Sequence, residues 1–279
     1  MENHDLAIII PRAEKESLYR VLSSLTLQSD KRFAVYGFYL RGDAGAKALY
    51  EDYADSMDVI PCEVDAWPSA EASFGERMSF YFGRLGDECF VTLSDGETAY
   101  GRDCIRDFHA DAWHRDDVDL FCWRTHRRGR RSCSFRRFFL DEVLGTPWQL
   151  PAGAWVLRRI PLEQRIAAGD YFSATQVLLE LAQTGGIVRM ESLVSGEAPM
   201  ALPAAAERCS LIEWAEERFP GAAWPLCRKR SLYLAADLFS DMAPSRPLKE
   251  IRERFLQLKM AQGREAFARF CFFLSTRGL

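Results

Sequence analysis

Residues 86–97 read Gly86-Asp87-Glu88-Cys89-Phe90-Val91-Thr92-Leu93-Ser94-Asp95-Gly96-Glu97. A helix-breaking Gly-Asp pair leads into an apolar run, and the run stops at an acidic turn. A short apolar run bounded by turn residues predicts a strand buried on both faces, here Cys89 to Leu93. The preceding stretch, Ser73 to Leu85, has the apolar spacing of a helix, and Ile105 to Trp113 repeats that spacing on the other side. Further out, Leu6 to Ile10 is a β-branched apolar run closed by Pro11, and Leu18, Val21, Leu22 and Leu25 then share one helical face. Phe33 to Leu40 predicts a second strand with Gly42-Asp43-Ala44-Gly45 as its exit turn. A helix around Ala46 to Tyr53, a short strand at Val59-Ile60 and a strand from Val118 to Trp123 complete a βαβαβαβαβ order. That alternation predicts an α/β fold with a mostly parallel sheet flanked by helices. Ligands of such sheets sit beyond the carboxyl ends of the strands. Pro11–Glu14, Arg41–Asp43 and Asp95–Glu97 all fall at that edge.

The second half continues with a strand at Ala154 to Leu157, a helix from about Ser173 to Gln183, and a strand at Ile187 to Met190. After Pro203 the pattern is helical almost to the end, which predicts a main domain over 1–203 and a C-terminal helical extension over 204–279. The chain has 279 residues, 27% of them charged, with a formal net charge of −4, so the total charge does not call for nucleic acid or an acidic membrane. The eight cysteines form no C-x-x-C pair, and no run is apolar enough for a signal peptide or a membrane span. Free, mostly buried thiols and a cytoplasmic location are expected. His109, His114 and His126 show no triad or metal spacing and are expected to be structural or solvent-facing, with His109 and His114 on one helix surface.

Four segments in order resemble the family 2 glycosyltransferases, whose fold is the GT-A type. The first is the strand closed by Pro11, followed by Ser24-Leu25-Thr26-Leu27-Gln28-Ser29 and Phe33-Ala34-Val35. The second is Gly86-Asp87-Glu88 leading a strand into Asp95-Gly96-Glu97. The third is Ala154-Trp155-Val156-Leu157-Arg158-Arg159, and the fourth is Gly169-Asp170-Tyr171. The resemblance covers Leu6 to about Pro199 and implies transfer of a sugar from a nucleotide-sugar donor to a glycan or lipid-linked acceptor. Such a donor leaves as a diphosphate, whose charge a divalent metal held by carboxylates can neutralise. Asp95 and Glu97 are the implied metal holders, with Mg2+ or Mn2+ suited to hard oxygen ligands; the alternative is a polar turn. Asp170 stands where the family places its catalytic base, or it caps the following helix. Pro11, Arg12, Glu14, Asp43, Arg77 and Asp95 are the implied donor-binding residues. Arg77 suits phosphate through its guanidinium fork, or is a solvated helix-face residue.

The chain also departs from the family pattern. Arg12-Ala13-Glu14 stands where an Asn is usual, and Tyr39-Leu40-Arg41-Gly42-Asp43 replaces D-D-G-S, leaving only a displaced Asp43. Gly169 replaces the acid that usually precedes Asp170. Those departures imply an altered nucleotide site or a non-catalytic binding or scaffold relative. A nucleotidyltransferase would need a glycine-rich loop that Pro11-Arg12-Ala13-Glu14-Lys15 does not supply. The basic run Arg124–Arg137 fits an acidic acceptor, a lipid-linked phosphate or a nucleic-acid backbone, or is a solvated loop, and it lacks a base-stacking platform. The Arg/Phe character of Lys249–Phe273 permits peripheral membrane contact, while packing against the main domain or a second copy through these helices is the expectation.

Overall fold

The computed structural model describes residues 5–69, 72–94, 96, 98–125, 137–138, 152–169, 176–178, 180–181, 187–196, 214 and 218. The chain divides into one compact unit of Met1–Leu140 with Trp148–Ala201 and a second of Asp141–Pro147 with Leu202–Leu279. Of the second, only Trp214 and Arg218 are among the described residues, so the helical extension, its membrane contact and its role in self-association lie outside them. The basic run falls outside them as well, save Arg124 and the backbone of Arg137.

The first unit opens with β1 (Leu6–Ile10), α1 (Lys15–Thr26), β2 (Phe33–Leu40), α2 (Ala44–Ala54), β3 (Asp58–Val64), α3 (Phe74–Phe82) and β4 (Phe90–Leu93). It continues with β5 (Thr98–Tyr100), α4 (Cys104–Ala112), β6 (Leu120–Thr125), β7 (Arg137–Phe138), β8 (Trp155–Arg158), α5 (Arg159–Ala168) and β9 (Ile187–Gly196). Among the described residues nine strands form one sheet in the order β3-β2-β1-β4-β8-β6-β9-β5, with β7 paired to β9. The first four are parallel, with Ile9 opposite both Tyr36 and Leu93. The mostly parallel α/β architecture therefore stands, with β8 antiparallel to β4 and β6, and β5 antiparallel to β9. Pattern alone did not give β8 its direction: β6 ends at the carboxyl edge, and the chain re-enters from there, so Trp155 pairs with Cys122 on the way back.

β1 sits in the middle of its group, and all five of its residues are fully buried, which is why its sequence is apolar without alternation. Its neighbour β2 shows the two faces separately. Gly37 lies so close to Tyr50 of α2 that a Cβ would sit 2.2 Å from the ring. The next residue, Phe38, packs at 4.9 Å on Tyr81 and 6.1 Å on Phe80. Successive strand residues face opposite sides, so α2 and α3 cover opposite faces. Leu18, Val21, Leu22 and Leu25 of α1 are buried, as their spacing predicts.

A polar clamp fastens α1 to the second half of the sheet. The Gln28 side chain, 4% exposed, donates through Nε2 to the carbonyls of Ser24 (3.1 Å) and Gly101 (2.8 Å). Its Oε1 accepts from the N–H of Ile105 at 3.2 Å, near the start of α4, whose own Asp103 makes no side-chain cap. Ser24 Oγ accepts from the N–H of Tyr100 at 3.0 Å, and Ser29 Oγ donates to Asp103 at 2.8 Å. Ser24, Gln28 and Ser29 belong to the first family-like segment, and here Ser24 and Gln28 satisfy backbone groups of β5 and α4 while Ser29 meets the Asp103 carboxylate.

A second tie lies at the amino edge. His109 of α4 is 6% exposed and its Nδ1 meets Asp30 Oδ2 at 3.0 Å, while α4 ends at Ala112, before His114. The two histidines therefore do not share a helix surface. Burial pushes the imidazole of His109 below its ordinary value of 6.5, against the pull of Asp30. Burial of Asp30 opposes its ionisation, but hydrogen bonds from the Arg32 side chain and backbone and from His109 outweigh that and hold its carboxyl far below the usual range. Cys62, Cys89, Cys104 and Cys122 are free. Burial raises Cys62 to about 11 and Cys104 and Cys122 to about 12, so these three are inert thiols.

Replacing Gln28 by Ala leaves the buried N–H of Ile105 without its side-chain acceptor and takes one donor each from the Ser24 and Gly101 carbonyls, of which Gly101 keeps the Cys104 N–H. The expected loss is about 1–3 kcal/mol, read as a lower denaturant midpoint with an unchanged slope. For His109 the unfolded chain takes up the proton first as pH falls, so its contribution is full above the ordinary value of 6.5 and is lost below it. Tm should fall from pH 7 to pH 5, and His109→Gln should flatten that slope; an equal slope in both proteins would remove the assignment.

Candidate functional site

From β1 the chain steps outward to β2 and β3, then crosses back to β4 on the other side of β1. The order thus reverses between β1 and β4, and the carboxyl ends of strands flanking such a reversal frame a crevice. The structure draws the loops of these two strands together. Ser94 N–H donates to the carbonyl of Ile9 at 2.8 Å. Two residues on, Gly96 is buried with φ +81°, and a Cβ there would stand 2.6 Å from Cβ of Ala13 and 4.0 Å from Cβ of Ser17. Only glycine fits comfortably, on both counts: the left-handed backbone and the missing volume. Asp95 and Glu97 flank Gly96 in sequence and lie outside the described residues, as does Asp170.

On the β1 side Pro11 is half-buried, Arg12 and Glu14 are exposed, and Glu14 is the extended N-cap residue of α1, its carbonyl taking the N–H of Leu18 at 2.8 Å. Gly153, in the 3-10 turn Ala152–Ala154 ahead of β8, is a further close approach near β5. A Cβ on Gly153 would stand 2.7 Å from Tyr100 Oη and 2.9 Å from Thr98 Oγ1. Sequence reading passed over Gly153; its signal was a Gly-Ala pair directly before a buried strand.

At the end of β2 the charges are already engaged. Gly42, with φ +89°, turns the chain so that Asp43 becomes the N-cap of α2, its Oδ1 accepting from the N–H of Ala46 at 3.0 Å. Arg41 is exposed and ion-paired through Nε to Glu63 (2.9 Å) and through Nη1 to Asp65 (2.7 Å). Exposed pairs of this kind add little stability, yet they set the direction of the guanidinium. Arg77 is exposed in the first turn of α3, which starts with a Ser73–Glu76 capping box. α3 packs antiparallel to α5, since Gly75 at its start abuts Ile166 near the end of α5. Gly169, the residue before Asp170, therefore lies at the same edge as the start of α3 and lines a groove with Ser73.

No protein-family profile matches the chain, and no curated protein matches it. Solved structures do. One is the S. aureus TarS fragment 1–349 in complex with UDP-GlcNAc, at TM-score 0.57 and 14% identity, covering 91% of this chain and 79% of that one. Another is the mannosyltransferase PcManGT from Pyrobaculum calidifontis in complex with GDP-Man and Mn2+, at TM-score 0.53 and 14% identity, covering 96% and 83%. A third is glucosyl-3-phosphoglycerate synthase from Mycobacterium tuberculosis, at TM-score 0.51 and 11% identity, covering 79% and 82%. The chain has the GT-A glycosyltransferase fold.

Within this GT-A fold the residues singled out by sequence separate into groups. Pro11, Arg12 and Glu14 belong to the loop that meets Gly96. Asp43 serves as a helix cap, and Arg77 lies on a different helix start, in the first turn of α3. Among the described residues no three His, Cys, Asp or Glu side chains are grouped to hold a metal, and no helix is long and apolar enough to cross a membrane. Carboxylates at 95 and 97 fit a hard divalent ion by the chemistry of their oxygens, on either side of a glycine pressed against the β1 loop.

Two glycine substitutions separate backbone strain from close contact. Gly42→Ala has only the left-handed backbone to resist, with nothing within 4 Å of the new Cβ, and should cost about 1–2 kcal/mol. Gly96→Ala meets the same strain plus Ala13, so its Tm should fall further. Equal losses would show that the Ala13 contact does not fix the loop.

Proposed function

We propose that this chain is a metal-dependent, inverting glycosyltransferase that moves a sugar from a nucleotide-diphosphate sugar to a glycan or glycoconjugate acceptor. The observation that carries the reading is the contact of Gly96 with Ala13 at the reversal of strand order. It brings the acidic loop after β4 against the loop after β1, where a donor crevice is expected. The GT-A structures holding UDP-GlcNAc, and GDP-Man with Mn2+, support a nucleotide-sugar donor and a divalent ion.

In this reading Asp95 and Glu97 hold Mg2+ or Mn2+, which when bound offsets the charge that grows on the leaving diphosphate. Pro11, Arg12 and Glu14 line the donor, and Arg77 offers its guanidinium to the diphosphate oxygens. Asp170 takes the proton of the acceptor hydroxyl as that oxygen attacks the anomeric carbon from the face opposite the leaving group. Asp43 can contribute only the lone pairs that its cap to Ala46 leaves over.

A second reading, a non-catalytic binding relative, draws on the end of β2. There Arg41 is tied to Glu63 and Asp65, and the nearest acid, Asp43, is engaged with α2. One experiment separates the two readings. Guanosine, uridine, cytidine and thymidine diphosphate sugars are screened with Mn2+ for a thermal shift and for turnover. The transferase reading expects a shift with at least one donor, and Asp95→Ala should abolish turnover while leaving the apo stability within about 0.5 kcal/mol of wild type. Turnover retained in Asp95→Ala removes the metal assignment, and no shift with any donor selects the binding relative.

A further inference from the structure

The crevice is not the only concave surface of the first unit. α3 and α5 leave an open groove of ≈ 710 Å3 between them, bounded by Ser73, Glu76, Ser79, Phe82, Glu163 and Ile166 among others. That volume lies within the range of about 300–1,000 Å3 typical of ligand sites. The two helices can lie side by side here because a glycine stands at the seam: a Cβ on Gly75 would sit 3.2 Å from Ile166 Cγ2. Gly83 and Gly169 line its two ends. The Gly169 end is the one at the carboxyl edge, and Asp170 is the next residue in the chain.

The lining decides what such a groove could hold. Its charged groups among the described residues are two carboxylates, and each is already compensated. Glu163 Oε1 accepts from Arg159 Nε at 2.7 Å. Glu76 Oε2 accepts from the N–H of Ser73 at 2.7 Å, at the positive end of the α3 dipole. No lysine, arginine or histidine is among the described lining residues, so these residues offer an anion no cationic side chain. A cation gains little from carboxylates that are already paired. What remains is a set of hydrogen-bond acceptors and hydroxyls, with half-buried Ile166 and the edge of the largely buried Phe82 supplying apolar surface. A sugar chain matches that combination: its hydroxyls donate to the carboxylate oxygens, and its ring C–H faces cover the apolar side chains.

We propose that the groove between α3 and α5 binds an uncharged oligosaccharide and leads it to the carboxyl edge as the acceptor; that last step rests on the transferase reading above. The groove itself is a carbohydrate site whichever chemistry the crevice performs.

The test uses the full chain with cellotetraose, chitotetraose and maltotetraose as probes, hexa-lysine and inorganic pyrophosphate as charged controls, and isothermal titration as the readout. Ser79→Trp and Ala167→Trp both start from exposed positions on the two walls and fill the groove from opposite sides. The expected result is binding of at least one tetrasaccharide, weakened tenfold or more in each variant. The thermal shift with donor and Mn2+ should be the same in wild type and variants. The proposal is overturned if none of the three sugars binds, if both variants bind as wild type does, or if only a charged control binds. Sugar binding without any donor response leaves the groove assignment standing and removes the transferase reading, so the two failures are distinguishable.

Discussion

The amide of Gln28 is the joint on which this arrangement depends. A parallel βαβ unit built from β1, α1 and β2 can bury its own apolar faces, but nothing in it dictates where β5 and α4 must go. Gln28 Nε2 and Oε1 answer that by meeting the carbonyl of Gly101 and the N–H of Ile105, with Ser24 fixing Tyr100. All these groups are buried or nearly so, and an unpaired backbone group there would cost more than the bond is worth in water. The pairing is therefore specific in a way that apolar packing is not.

The loop after β4 is held by volume. Gly96 accepts a left-handed backbone and leaves room for Ala13, so the loops after β1 and β4 touch without side chains between them. The clamp holds Tyr100, and the close contact holds Gly96 beside the strand reversal. The end of β2 is built differently. Arg41, Glu63 and Asp65 neutralise one another, and Asp43 is committed to α2, so the charges that would meet a nucleotide there are largely internal to the protein.

A further polar group links β2, β4 and α5. Tyr36 donates to Glu88 at 2.5 Å, and Arg159 reaches the carbonyl of Gly86 and stands 3.9 Å from Glu88. This buried group joins the middle of β2 to the start of β4 and of α5. Burial first, and then the neighbouring Glu88 carboxylate, push the Tyr36 hydroxyl well above its ordinary value, so it stays a neutral donor. Two of the resemblance segments, Gly86-Asp87-Glu88 and Arg158-Arg159, are thus held in place partly through contacts with each other.

Much of the fold was legible in the chain itself. The apolar run at Leu6–Ile10 and the largely apolar stretch Cys89–Leu93 specify buried strands, and the Leu18, Val21, Leu22 and Leu25 spacing specifies the first helix, because burial and backbone period are local properties of sequence. The position of the candidate site at the carboxyl edge follows from the same alternation. Tertiary structure decided what depends on distant partners: the antiparallel course of β8, the three-residue β5 at the far edge of the sheet, the burial of His109 against Asp30, and the use of Asp43 as a cap. It also decided that Gly96 meets Ala13 and that Gly153 meets Thr98, since no local pattern states which backbone will pass within a Cβ radius of another. Sequence could name the residue types a donor and a metal require; only the packing of one loop against another tells which of them share a crevice.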